Sequence, residues 1–143
     1  MLRMLAVEDS RSIRIFLRGA LSRHGELDLA EDGRAGVELA ALAMRDHAPY
    51  DLIVMDIMMP ELDGLTAVRA IRSLEAETGS PAARILMLSC LTDAAHMLEA
   101  QFECGADGYL TKPFDMDVLF EAMANLGLIE NPLGSVFEEG EGP

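Results

Sequence analysis

Lysine is almost missing from this 143-residue chain. Of its eleven basic residues ten are arginines, so chemistry that needs a compact ammonium rather than a forked guanidinium has one candidate, Lys112. Positive charge is scarce altogether. The 11 basic and 25 acidic residues leave a formal charge of −14, which repels phosphate backbones and anionic lipid and argues against direct nucleic-acid binding. Long apolar runs are missing too: nothing approaches the roughly 18 uncharged apolar residues of a membrane span. The stretch Met1 to Val7 is cut by Arg3 and followed at once by Glu8-Asp9, unlike an export leader. The chain is therefore expected to be soluble, unexported and cytoplasmic. Cysteine is limited to Cys90 and Cys104, set among apolar neighbours without metal-type spacing. That pattern excludes a disulfide framework and reads as buried thiols in a reducing compartment.

What is present is a core. Half of the residues are hydrophobic and a quarter are charged, which suits one compact domain. Apolar runs of strand length alternate five times with longer segments of helical period, the pattern of an α/β domain with a parallel sheet. Met4 to Val7 reads as the first strand. Ile13, Leu17, Ala20 and Leu21 then recur at helical spacing, with Gly25 closing that helix. Leu27 to Ala30 alternates as a second strand, and Val37, Ala40, Ala41 and Met44 mark a second helix ending before Pro49. Leu52 to Met55 is a continuously apolar third strand. Leu65, Val68, Ile71 and Leu74 stripe a third helix that Gly79-Ser80-Pro81 breaks, and Ile85 to Leu88 is the fourth strand. A fourth helix is expected from about Asp93 to Cys104 with Gly105 as its cap. Gly108 to Leu110 follows as a short fifth strand, and Asp115 caps a last helix striped by Leu119, Ala122, Met123 and Leu126.

Strand texture sets the order. A strand with neighbours on both sides and helices on both faces should be apolar throughout, as the first, third and fourth are, whereas the second and fifth have the look of edges. Right-handed crossovers then give a five-stranded parallel sheet of order 2-1-3-4-5, a doubly wound, flavodoxin-like architecture flanked by five helices. Its switch point lies between strands one and three, and the binding crevice is expected there at the strand carboxyl ends. Residues 1–128 form this domain. From 129 to 143 the composition turns to acidic residues, glycine and proline, and reads as a flexible tail whose Leu133, Val136 and Phe137 are available for docking.

The residues just beyond the central strands are Glu8 and Asp9 after the first, Asp56 after the third, Ser89 after the fourth and Lys112 after the fifth. All converge on one crevice. Asp9 alone could be a helix cap; the joint pattern is more specific. Asp56 follows four apolar residues and precedes Ile57, Met58 and Met59, so its carboxylate is expected to be only partly solvated. Three carboxylates and one ammonium sum to −2, and like charges about 4 Å apart cost on the order of a few kcal/mol at an effective dielectric near 20. Such a site holds a proton or recruits a cation. Oxygen-only donors favour a hard ion such as Mg²⁺, or Mn²⁺ in its place. His24, His47 and His96 fall on expected helices at no metal spacing and read as surface or boundary residues. A carboxylate, a divalent ion, a hydroxyl and an ammonium together suit in-line phosphoryl transfer onto the carboxylate, with Asp56 as nucleophile.

Four segments carry a family resemblance. Val7-Glu8-Asp9, the run Asp56-Ile57-Met58-Met59-Pro60-Glu61-Leu62-Asp63-Gly64, Met87-Leu88-Ser89 and Gly105 to Phe114 with Tyr109, Lys112 and Pro113 together resemble the receiver domain of two-component response regulators, in order and in register over about residues 1–128. The resemblance implies that Asp56 accepts a phosphoryl group from a histidine kinase or histidine phosphotransfer protein. It implies that Asp9, Asp56 and the backbone carbonyl of Met58 ligate Mg²⁺ while Glu8 acts through water. It further implies that Ser89 and Lys112 contact the phosphoryl group, that Tyr109 turns inward when Ser89 shifts, and that the Lys112-Pro113 bond is cis. Cys90 stands where the family usually has Ala. A single-domain regulator of this kind acts by docking through the face of the fourth helix, fifth strand and last helix. Ala95, Leu98, Phe102 and Met97 give that fourth helix apolar residues on more than one side, compatible with a partner or a homodimer contact.

Three other readings compete. A phosphatase of the aspartyl-phosphate type wants a second Asp two residues after the first, and position 58 is Met. A flavin protein wants a Ser/Thr/Gly-rich loop after the first strand, where this chain has two acids. A receiver-shaped scaffold that binds partners without phosphorylation remains. The expected activity is thus that of a signalling phosphoacceptor, not a turnover enzyme.

Overall fold

The computed structural model describes residues 1–90 and 105–130. Strands β1 (Leu2–Val7), β2 (Gly25–Ala30), β3 (Leu52–Asp56), β4 (Arg84–Ser89) and β5 (Gly108–Thr111) form one sheet of order β2-β1-β3-β4-β5, every pair parallel. Helices α1 (Arg11–Leu21), α2 (Gly33–Arg45), α3 (Gly64–Thr78) and α4 (Met116–Asn125) are the four α-helices among the described residues. The helix expected over 93–104, with Cys104 and His96, and the tail from 131 onward lie outside them.

Alternation along the central strands feeds two cores. In β1, Leu5 and Val7 join Ile53, Met55, Ile85 and Met87 on the α2/α3 side, while Met4 and Ala6 join Leu52, Val54, Leu86 and Leu88 under α1 and α4. Both faces are covered. All of β3 is buried, whereas β2 alternates and β5 buries only Leu110, as edge positions dictate. Leu128 and Ile129 still pack against the second core after α4 ends.

Local chemistry sets the helix ends. Asp32, Asp63 and Asp115 each accept a hydrogen bond from the backbone three residues on, and Gly79 ends α3 in the left-handed region at φ 70°. Ser10, not Asp9, caps α1. Gly25 serves both elements: α1 stops at Leu21, a 3-10 turn over Ser22–His24 continues it and ends at Gly25, and the same residue opens β2. A side chain there would drive its Cβ to 2.0 Å from the carbonyl oxygen of Leu2. His24 has its ring edge-on to Phe120 at 4.9 Å between centroids, and burial, reinforced by Arg23, holds its pKa below the usual value. His47 lies beyond α2 with φ 57°. Cys90 is partly exposed rather than buried.

At the end of the sheet remote from the strand carboxyl ends, Arg72 of α3 ties three segments together. Its guanidinium donates to Glu75 Oε1, the carbonyl of Ala83 and Asp107 Oδ2, each at 2.8 Å, and to the carbonyl of Gly105 at 3.0 Å. Glu75, 6% exposed, also accepts from Ala83 N. Arg72→Ala strands that buried carboxylate, so we expect a loss of about 3 kcal/mol in urea unfolding. A loss under about 1 kcal/mol would reduce the network to surface ion pairs.

Candidate functional site

Of the residues that the sequence puts at strand ends, Glu8, Asp9, Asp56 and Lys112 arrive at the same crevice, and Ser89 ends the strand beside Asp56. Hydrogen bonding of Glu8 N to the Ala30 carbonyl, 3.0 Å, carries the chain from β1 over β2, and Ser10 N donates to Glu8 Oε2 at 2.9 Å. Glu8 is thereby drawn fully inside. Asp9, one residue on, is exposed, and Asp56, at the end of β3, is 3% exposed. Ligand oxygens of these three carboxylates all lie within 4.8 Å of one another.

Lys112 closes the site from β5. Its Nζ donates to Asp56 Oδ1 at 3.1 Å and stands 2.8 Å from Glu8 Oε1, an ion pair without hydrogen-bond alignment. Its backbone N donates to the Ser89 carbonyl at 2.6 Å, which fixes the loop after β5 against β4. The Lys112-Pro113 bond is cis. Ser89 ends β4, fully buried, and Tyr109 packs partly buried against the first core. Met58 lies two residues past Asp56, its side chain largely exposed.

Charge, not shape, dominates the energetics here. Burial first, then the nearby Glu8 carboxylate, pushes the Asp56 pKa up to about 7 against the opposing pull of Lys112. Burial alone would lower Lys112, but Glu8 and Asp56 outweigh it and its pKa rises. One ammonium thus serves two buried carboxylates, with Asp9 beside them. The donor set is all oxygen, which fits a hard divalent cation and offers nothing to a thiophilic one.

Two supporting residues had no role assigned in the sequence reading. Arg14 Nη1 donates to the carbonyl of Glu8 at 2.7 Å and so steadies the acidic loop. Gly64 N donates to the Ile57 carbonyl at 2.8 Å, and a Cβ on Gly64 would sit 2.1 Å from the carbonyl oxygen of Asp56. Since backbone rather than a flexible side chain stands in the way, Gly64→Ala should cost about 3 kcal/mol in urea unfolding and displace the Asp56 peptide. An unchanged unfolding midpoint would contradict this. Gly64 stood in the sequence only as the last residue of the family-like run that begins at Asp56, and nothing in the sequence signalled Arg14.

A parallel sheet of this order with acids at the switch point and a lysine after its last strand defines a receiver-type α/β domain. Residues 4–124 match the response regulator receiver domain family, and the chain belongs to it. It is 34% identical over 123 residues to the chemotaxis protein CheY of Bacillus subtilis, covering 85% of this chain and 93% of that one. It is 40% identical over 125 residues to response regulator MprA of Mycolicibacterium vanbaalenii, covering 87% of this chain but 49% of that protein, so the chain spans about half the length of such relatives. Among solved structures, the receiver domain of the histidine kinase CKI1 from Arabidopsis thaliana complexed with Mg²⁺ matches with a TM-score of 0.74 at 27% identity, covering 87% of this chain and 88% of that one. The chain is a receiver domain of two-component signalling. Among its described residues no helix is long and apolar enough to cross a membrane.

Proposed function

We propose that the chain is a phosphorylation-controlled switch in which Asp56 accepts a phosphoryl group from a histidine kinase or histidine phosphotransfer protein. The observation that carries this reading is the buried Asp56 carboxylate, 3.1 Å from the single lysine, with two more carboxylates alongside. Mg²⁺, or Mn²⁺, would be held by Asp9, Asp56 and the Met58 carbonyl, with Glu8 acting through water, and would neutralise charge on the transferring oxygens. A receiver domain solved with Mg²⁺ supports that choice of ion.

The chain's own residues do the rest. An Asp56 carboxylate oxygen attacks phosphorus, the new O–P bond forms as the P–N bond of the donor phosphohistidine breaks, and the electron pair leaves with the imidazole. Lys112 turns its ammonium from the carboxylates to the phosphoryl oxygens, and the Ser89 hydroxyl donates to another of them. The acyl phosphate puts about −1.5 to −2 charge where the carboxylate carried −1, with new acceptor oxygens at a buried point, drawing Ser89 inward and Tyr109 after it. Turnover is confined to the chain's own phosphorylation and dephosphorylation. Output is by protein docking on the face of β5 and α4, which the expected helix over 93–104 would extend; the net charge of −14 argues against direct nucleic-acid binding by this domain itself.

The test is the intact mass of the chain after incubation with acetyl phosphate. We expect one phosphoryl adduct that needs Mg²⁺ and is removed by hydroxylamine. An adduct stable to hydroxylamine, or formed equally in a chelator, would leave the scaffold reading in its place.

A further inference from the structure

On a chain of net charge −14, four of the ten arginines fall between positions 11 and 23. Three of them, Arg11, Arg14 and Arg18, sit at helical spacing on α1 and border a cleft of about 450 Å³ with Ile15, Leu29 and Glu31. Arg14 is already engaged by Glu31 at 3.2 Å and by the Glu8 carbonyl. Arg11 and Arg18 are exposed and have no ion-pair partner among the described residues. In their midst Ile15 is 57% exposed, an aliphatic side chain ringed by guanidinium groups. A concave basic surface with an apolar centre suits an acidic peptide that also carries apolar residues.

The chain contains such a peptide: Val136-Phe137-Glu138-Glu139-Gly140-Glu141 sets two apolar residues beside three acids. We propose that the arginine face of α1 seats this segment of the same chain, with Val136 and Phe137 over Ile15 and Leu29 and the glutamates on Arg11, Arg14 and Arg18. Reach permits it. Leu128 and Ile129 pack on the core that also holds Leu17 and Leu21 of α1, so the described chain ends on the same side of the sheet as that helix. Eight residues from Glu130 to Glu138 extend up to roughly 26 Å, whereas Arg11 to Arg18 covers only about 10 Å of helix. A tethered segment also meets the face at an effective concentration in the millimolar range, which lets individually weak surface ion pairs act together.

The experiment uses the full ¹⁵N-labelled chain. Amide spectra are compared for the parent, for Arg11→Gln with Arg18→Gln, and for Glu138→Gln with Glu139→Gln and Glu141→Gln, in about 20 mM and about 500 mM salt. Each set of substitutions should shift the amides of the other segment, and high salt should shift both segments in the parent. The heteronuclear NOE of residues 136–141 should fall in every one of these cases. Amides of 136–141 that ignore the arginine substitutions would overturn the proposal, and so would cross-effects that grow with protein concentration, which belong to a second copy. If a variant disturbs the sheet amides, the salt response of the parent chain decides alone.

Discussion

In Asp56→Asn the phosphoryl adduct is lost altogether, because an amide is no nucleophile, and without divalent cation the variant is more stable than the parent by about 3 kcal/mol at pH 8. The second effect follows from the pKa of Asp56, about 7 in the folded chain against 3.8 for the free side chain. A carboxyl group whose pKa is raised by folding binds its proton more tightly in the native state. The parent therefore loses stability as pH rises from about 4 through about 7, and above that carries the whole cost of a buried charge. Asparagine carries none, and its amide oxygen can still accept from Lys112. The advantage of the variant should be full at pH 8, shrink as pH falls through 7, and vanish near pH 4. Mg²⁺ binds only the folded parent site, so adding it should narrow the gap. Urea unfolding at three pH values, with and without Mg²⁺, checks each part; a variant less stable than the parent at pH 8 would contradict the electrostatic account.

Lys112→Ala should act in the opposite direction and nearly as strongly. It leaves Glu8 and Asp56 buried without their ammonium, which we expect to cost about 3–5 kcal/mol in cation-free buffer. Mg²⁺ should restore much of that loss, since the ion supplies positive charge to the same carboxylates and Lys112 is not among its ligands. Affinity for Mg²⁺ should therefore be kept and somewhat raised, while the amide shifts that phosphorylation produces around Tyr109 should fall by at least half. Shifts of undiminished size would assign the coupling to Ser89 alone.

How much of this was readable beforehand depends on how local each cause is. Period-two and period-3.6 patterning delivered strand order, because β1, β3 and β4 are apolar on both faces and β2 is not. The site was readable for the same reason: once order is known, Glu8, Asp9, Asp56, Ser89 and Lys112 must end strands on the same side. Gly25 was legible as a helix stop but not as the first residue of β2, because the close approach of Leu2 that requires a glycine there comes from a neighbouring strand. Ser10 took the capping role that Asp9 could have filled, which leaves Asp9 facing the crevice. The Arg72 network was invisible because its partners come from α3, the start of β4 and the approach to β5, and no spacing in the chain joins them. The pKa of Asp56 likewise depends on Glu8, 48 residues away, and on burial that only the assembled sheet provides.

The most direct measurement is a crystal structure of the full chain grown with Mg²⁺ and beryllofluoride, a mimic of the phosphoryl group. The account predicts the fluoride on the Asp56 carboxylate, the metal between Asp56 and Asp9, and Lys112 Nζ moved from the carboxylates onto a fluorine. Beryllofluoride absent or bound elsewhere, with Lys112 still bridging Glu8 and Asp56, would contradict it.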